Sequence, residues 1–263
     1  MMELAGISWE DMAPFIAVGF LAQMVDSAIG VAFGLASTSL LALVGMPPPA
    51  AAATVRTVES FASGASGIAH VFQRNVDWHV FARLVVPGII GSLCTAWLFL
   101  MLNPAVLRPV LFVYVAAIGA YLMWWAPRRA HTFRRIRLVG PLGLVGGVFD
   151  ASGGGGWGPL VTGNLLAQGM TPKMAVGTAN AAEFFVTVTI LAVFTGALGT
   201  KTFTTPAAGL LIGSVVAAPL GAWLTKRIAP AALLRMVGAL LIVTSVWALA
   251  SLVFAPTPIF RRF

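Results

Sequence analysis

Five ionisable side chains stand in strongly apolar surroundings: Asp26, Arg56, Glu59, Asp150 and Glu183. Burying a charge in hydrocarbon costs about 3 kcal/mol on insertion scales, so such residues face a bundle interior or a polar pathway. Arg56 offers a planar guanidinium fork that matches an oxyanion, and the competing use is an internal pair with Glu59 at i+3. The four acids are candidates to carry a coupling proton. The two aspartates are equally placed to cap the end of a half-helix. Glu59 and Glu183 would suit a sodium site only if backbone carbonyls joined them. Arg56, Glu59, Ser60, Ser63, Gly67 and His70 recur at spacings of three or four, a polar stripe on one helix, and Asn180, Glu183 and Thr187 begin a matching stripe. His70 sits beside Gln73 and Arg74 and is expected at the membrane interface.

Each aspartate opens a segment that a helix tolerates poorly: Asp26-Ser27-Ala28-Ile29-Gly30 and Asp150-Ala151-Ser152-Gly153-Gly154-Gly155-Gly156. Glycine releases the backbone from helical geometry, and a half-helix that restarts there exposes unpaired N–H groups with a favourable dipole for an anion. Gly153, Gly154, Gly155, Gly156, Ser27 and Ser152 are therefore candidate substrate contacts, with Thr54, Thr178 and Asn180 from the segments that follow. Packing is the alternative use of the glycines, since Gly30/Gly34 and Gly154/Gly158 are small-xxx-small pairs. The run from Gly153 to Gly158 also satisfies GxGxxG, but that fingerprint needs a strand and a soluble βαβ unit, so it is discounted. One cysteine, three scattered histidines and the lack of HExxH, CxxC or a serine elbow argue against an enzyme, a metal centre or a bound cofactor.

The elements that hold these residues are membrane helices. The chain is 59% hydrophobic and 9% charged over 263 residues, against about 25% charged for a globular protein. Apolar runs at 13–45, 81–102, 109–125, 138–169 and 231–254 each reach the ~20 residues that a bilayer core requires. No ten-residue alternation of a barrel is present, so an all-α integral membrane bundle is predicted. Sliding the sequence by 124 residues, the distance from Asp26 to Asp150, also superposes Gly30 on Gly154, Gly34 on Gly158, Gly45 on Gly169, Pro48 on Pro172, Thr54 on Thr178 and Glu59 on Glu183. Two four-segment helical repeats are expected, 1–126 and 138–263, joined by a basic cytoplasmic linker at 127–137.

The first stretch of each repeat is about 32 residues, or roughly 48 Å as one helix, too long for a ~30 Å core, so each repeat should open with a broken or re-entrant helix. Re-entrant openings give inverted repeats and place more Lys and Arg inside than eight plain crossings do. The acidic N-terminus, with Glu3, Glu10 and Asp11 and no base, does not resemble a leader, and no cleavage is expected. Cys94, alone in an apolar segment, is expected to be buried, and Trp9, Trp78, Trp124 and Trp125 to anchor at the interfaces. The net charge of +8 is concentrated in the linker, which fits cytoplasmic retention and anionic lipid better than nucleic acid. A multi-pass protein of the inner (plasma) membrane is the expected setting, with a homo-oligomer left open because GxxxG pairs also serve packing within one chain.

Gly19-Phe20, Asp26-Ser27, Gly45-Met46-Pro47-Pro48 and Ala51-Ala52-Ala53-Thr54, followed by Asp150, Gly153 to Gly156, Pro159, Gly169, Pro172, Ala175, Gly177, Thr178, Ala179 and Asn180, resemble the sulfite exporter TauE/SafE family over nearly the whole chain. The first half departs from the pattern with one glycine between Ala28 and Ala32 and with Val55 in place of the usual asparagine. The resemblance implies a secondary active transporter of a sulfur-containing oxyanion such as sulfite, thiosulfate or an organosulfonate, with H+ or Na+ as a coupling ion. An anion channel, or a carrier of a non-sulfur carboxylate anion, is the alternative.

Overall fold

The computed structural model describes residues 9–31, 33, 34, 37, 41, 48–98, 104–124, 136–151, 156–198 and 205–254. Ser152, Gly153, Gly154, Gly155, Trp125 and nearly all of the basic linker lie outside the described residues. Every described element is a helix: α1 (Trp9–Ile29), α2 (Pro48–Phe72), α3 (Trp78–Leu98), α4 (Pro104–Trp124), α5 (Val139–Ala151), a π-helical turn (Gly158–Thr162) running into α6 (Gly163–Ala167), α7 (Pro172–Leu198), α8 (Thr205–Arg227) and α9 (Pro230–Phe254).

Local chemistry sets these boundaries. Pro48, Pro104, Pro172 and Pro230 each occupy the first helical position, where the missing N–H is of no consequence. Asp77 caps α3 by accepting from the N–H groups of His79 and Val80 at 3.0 and 3.2 Å. Both aspartate junctions end a helix as expected. α1 stops at Ile29 and turns through Gly30 at φ +80°, a conformation open to glycine, while α5 stops at Ala151.

Among the described residues, five helices are long and apolar enough to cross a membrane: α1, α3, α7, α8 and α9. α4 and α5 contribute the shorter apolar stretches Phe112–Trp124 and Val139–Ala151. α2 is not among the five, because its polar stripe dilutes the apolar content. Large apolar side chains such as Val86, Val113, Val216 and Val243 point outward, where lipid is the fitting solvent. Trp9, Trp78 and Trp124 are exposed near helix ends, as interfacial anchors would be. Cys94 departs from expectation: it is exposed on α3 rather than buried. Its helix presents small residues such as Gly91 inward to α5, so its outer face is free to carry a thiol.

The helices pair across the two halves of the chain. α1 lies parallel to α8, with Met12 and Phe15 against Gly209, Phe20 against Gly213, and Met24 and Ser27 against Gly221. α3 lies parallel to α5 in the same manner, with Leu84 against Gly143 and Gly88 and Ser92 against Gly147. A methyl group on Gly147 would lie 3.0 Å from Ser92 N, and one on Gly213 2.7 Å from Phe20 N, so these helices touch backbone to backbone. α2 and α7 cross antiparallel, Ser63 meeting Thr187, Gly64 meeting Phe184 and Gly67 meeting Ala181. α4 and α9 also cross antiparallel, through Gly119 and Gly238.

Candidate substrate and ion site

The turn after α1 meets the π-helical turn that follows the α5 break: a methyl group on Gly158 would lie 2.6 Å from the carbonyl oxygen of Gly30. A helix that stops inside a membrane leaves its last carbonyls without partners, and water cannot supply them. At the α1 end, neighbouring helices supply them. Asn180 Nδ2 of α7 donates to Asp26 O at 3.5 Å. Thr225 Oγ1 of α8 donates to Ser27 O at 3.1 Å and Ala28 O at 3.2 Å. His70 Nε2 stands 2.8 Å from Ser27 O, and its Nδ1 is 3.2 Å from Asn75 Nδ2.

His70 is therefore not the interfacial residue that Gln73 and Arg74 suggested. It is fully buried, because the chain turns back at Arg74 (φ +56°) and lays Asn75 against the ring. Ser27 Oγ accepts from Gln23 Nε2 at 3.0 Å and donates to Ser66 Oγ at 2.9 Å, and Ser66 Oγ also accepts from Asn180 Nδ2 at 2.9 Å. Gln23, Ser66 and Thr225 carry no motif that would have marked them in the sequence. Ser66 lies three residues beyond Ser63, so a slightly wider stripe would have included it.

The two aspartates bridge the two breaks with the same bond. Asp26 Oδ1 accepts from Phe33 N–H at 3.2 Å, and Asp150 Oδ1 accepts from Trp157 N–H at 3.3 Å. Each carboxylate thus accepts from a backbone N–H of the segment that follows its own break, seven residues on. Trp157 is wholly buried, and its indole Nε1 donates to Ala179 O at 3.0 Å. Gly156 is buried against Phe149 and accepts from Leu160 N–H at 3.2 Å.

At the α5 end the donor is charged. Arg56 Nη2 donates to the Asp150 carbonyl, while Arg56 Nη1 lies 3.2 Å from both Glu59 Oε2 and Asp150 Oδ2. The expected Arg56–Glu59 pair is present, and a second acid from the other half of the chain completes it. Arg56 lies 124 residues before Asn180, and both donate to the carbonyl of a break aspartate. Arg56, rather than Val55, therefore stands where the second half has its asparagine.

Glu59, Asp150 and Glu183 are buried around this guanidinium, and Asp26 is buried within electrostatic reach of Glu59 and Glu183. Glu183 lies within electrostatic reach of Asp26, Glu59, Asp150 and Arg56. No hydrogen bond or ion pair from a described residue reaches its carboxylate. Thr178 and Thr54 stand apart from the cluster in their bonding. Thr178 Oγ1 accepts from Asp77 N–H at 2.9 Å, holding the turn before α3, and Thr54 is buried near the start of α2.

A bundle of apolar helices closed around two helix breaks and a buried charge cluster defines a multi-pass membrane transporter rather than an enzyme. Residues 15–248 match the model of the family described as "Sulfite exporter TauE/SafE", and the chain belongs to that family. It is 34% identical over 240 residues to a protein of Bacillus subtilis (strain 168) described as "Probable membrane transporter protein YtnM", an alignment that covers 88% of this chain and 80% of that protein. No solved structure matches the chain.

Proposed function

We propose that the protein is a secondary active transporter of a small sulfur-containing oxyanion, with Arg56 as the anion ligand. The observation that carries this reading is the placement of Arg56. Its guanidinium is largely buried and bound to the break after α5, and its planar fork matches an oxyanion. The description of the matched family supports sulfite or a chemically related anion as the cargo. Asp26, Glu59, Asp150 and Glu183 line the same space and supply the coupling chemistry. Asn180 and the serine network around Ser27 hold the opposite break in place.

The transport cycle we infer uses two inverted repeats, 1–126 and 138–263. The antiparallel crossings of α2 with α7 and of α4 with α9 support it, because each pair joins helices at corresponding places in the two halves. So does the reciprocal packing of α1 on α8 and of α5 on α3.

The test is transport by the purified full chain in proteoliposomes loaded with sulfite, thiosulfate, methanesulfonate or acetate. Saturable, gradient-driven movement of a sulfur anion, lost in Arg56→Ala while the variant keeps its helical fold by circular dichroism, is the expected result. Equal transport of acetate, or unchanged sulfur-anion transport in Arg56→Ala, would overturn the reading.

A further inference from the structure

Nη1 and Nη2 of Arg56 already hold three acceptors: the Glu59 carboxylate, the Asp150 carboxylate and the Asp150 carbonyl. An oxyanion that binds the remaining N–H groups, or takes the place of one of these acceptors, sits beside carboxylates. Two negative groups left side by side in a dry interior repel each other by several kcal/mol even at an effective dielectric constant of about 20. A carboxyl group that has taken up a proton neither holds the guanidinium by charge nor repels an incoming anion. Resting on the reading of Arg56 as the anion ligand, we propose that proton uptake by Glu59 opens Arg56 to the oxyanion, so that anion and proton enter this site together.

Two features beyond the ion pair point the same way. Asp150 Oδ2 is fully buried and stands 3.2 Å from Arg56 Nη1, yet it receives no hydrogen bond from the described residues. A buried carboxylate oxygen held by an ion pair alone can still accept a hydrogen bond from a donor on a ligand. Glu183, 6% exposed and without a partner among the described residues, faces the same cluster from α7. The charged groups that meet here are Asp26 on α1, Arg56 and Glu59 on α2, Asp150 on α5 and Glu183 on α7, four acids around one base. His70 is about 16 Å further along α2 at 1.5 Å per residue and is bonded to Ser27 O, so it stands outside the group. Among the described residues no three acidic, histidine or cysteine side chains come close enough to share a metal ion.

The sign of the linkage is fixed by the competition. If the anion-bound state holds more protons than the free state, anion affinity rises as pH falls. The experiment is isothermal titration calorimetry on the purified full chain with thiosulfate and methanesulfonate, whose own charge is constant between about pH 6 and about pH 8. Sulfite is unsuitable because it titrates in that window.

The expected result is an apparent Kd that falls by up to about tenfold per pH unit, with up to about one proton taken up per anion bound when buffers of different ionisation enthalpy are compared. In Glu59→Gln the affinity at about pH 8 should rise and the pH dependence flatten. An affinity independent of pH, with no proton uptake, overturns the proposal and leaves Arg56 as an anion ligand intact. No binding of either anion at any pH overturns both. Should Glu59→Gln fail to fold, proton uptake by the unsubstituted protein decides the matter alone.

Discussion

The break that follows α1 and the break that follows α5 solve one problem with different chemistry. Both end a helix inside the bundle, both use an aspartate to hold the restarting chain seven residues later, and both receive a side-chain donor on the aspartate carbonyl from a long helix of the other half. At the α1 break that donor is Asn180, a neutral amide set among Ser27, Ser66, Gln23 and Thr225, which partner one another. At the α5 break it is Arg56, a cation balanced by acids that it only partly satisfies. A neutral amide suffices to close a broken helix, as Asn180 demonstrates, so the positive charge of Arg56 answers some other need. The unequal pair separates scaffold from function: the α1 break receives its donors from neutral side chains, and the α5 break receives its donor from a cation paired with acids whose charges can be rearranged.

Arg56→Ala should break the comparison most severely. It takes their base from the buried Glu59 and Asp150 carboxylates, and removing one partner of a buried pair costs about 3–5 kcal/mol. Thermal unfolding in detergent should show that loss, and transport should vanish with it. Arg56→Asn sharpens the point by making the α5 break resemble the α1 break. It keeps a donor for the Asp150 carbonyl, so stability should fall less than in Arg56→Ala, while anion transport should still be lost. Retained transport in that variant would mean that the charge serves only the helix end.

Asn180→Ala removes a buried neutral donor from both Asp26 O and Ser66 and should cost about 1–3 kcal/mol of stability. Transport by the folded fraction should fall less than in Arg56→Asn. Thr225→Val should give the smallest change, about 1 kcal/mol, because Ser27 O keeps His70 as a second partner. In contrast, Glu183→Gln removes a buried carboxyl group that has no hydrogen-bond partner among the described residues, and should leave thermal stability at neutral pH at or above that of the parent protein. A marked loss of stability would show that Glu183 has a partner at present unrecognised.

Much of this was legible in the residues themselves. Asp26 with Gly30, and Asp150 with its glycine run, placed both breaks, because an acid and a glycine together in a long apolar segment leave few other readings. The i+3 spacing of Arg56 and Glu59 gave their pair. Asp150 as the second partner of Arg56 was out of reach, since it lies 94 residues away and no periodicity links the two. His70 misled because its neighbours Gln73 and Arg74 belong at an interface, while the backward turn at Arg74 that buries the ring leaves no trace in composition. Cys94 misled for a related reason. An apolar helix in lipid carries small side chains on its outer face as well as its inner one, so hydrophobicity no longer reports burial.

The reciprocal packing of α1 on α8 and α5 on α3 also bears on how the molecule is made. Ser214 donates to the carbonyl of Gly19 across a sequence separation of 195 residues. At a synthesis rate of ~5–20 residues per second, α1 leaves the ribosome roughly 10–40 s before its partner exists. Through that interval its aspartate-bearing end has no Thr225 to hold it, so the newborn N-terminal helix depends on the insertion machinery for shelter. A chain cut between α4 and α5 should therefore yield two clients for quality-control proteolysis rather than two working halves, and co-expression of the pieces should rescue both from degradation together.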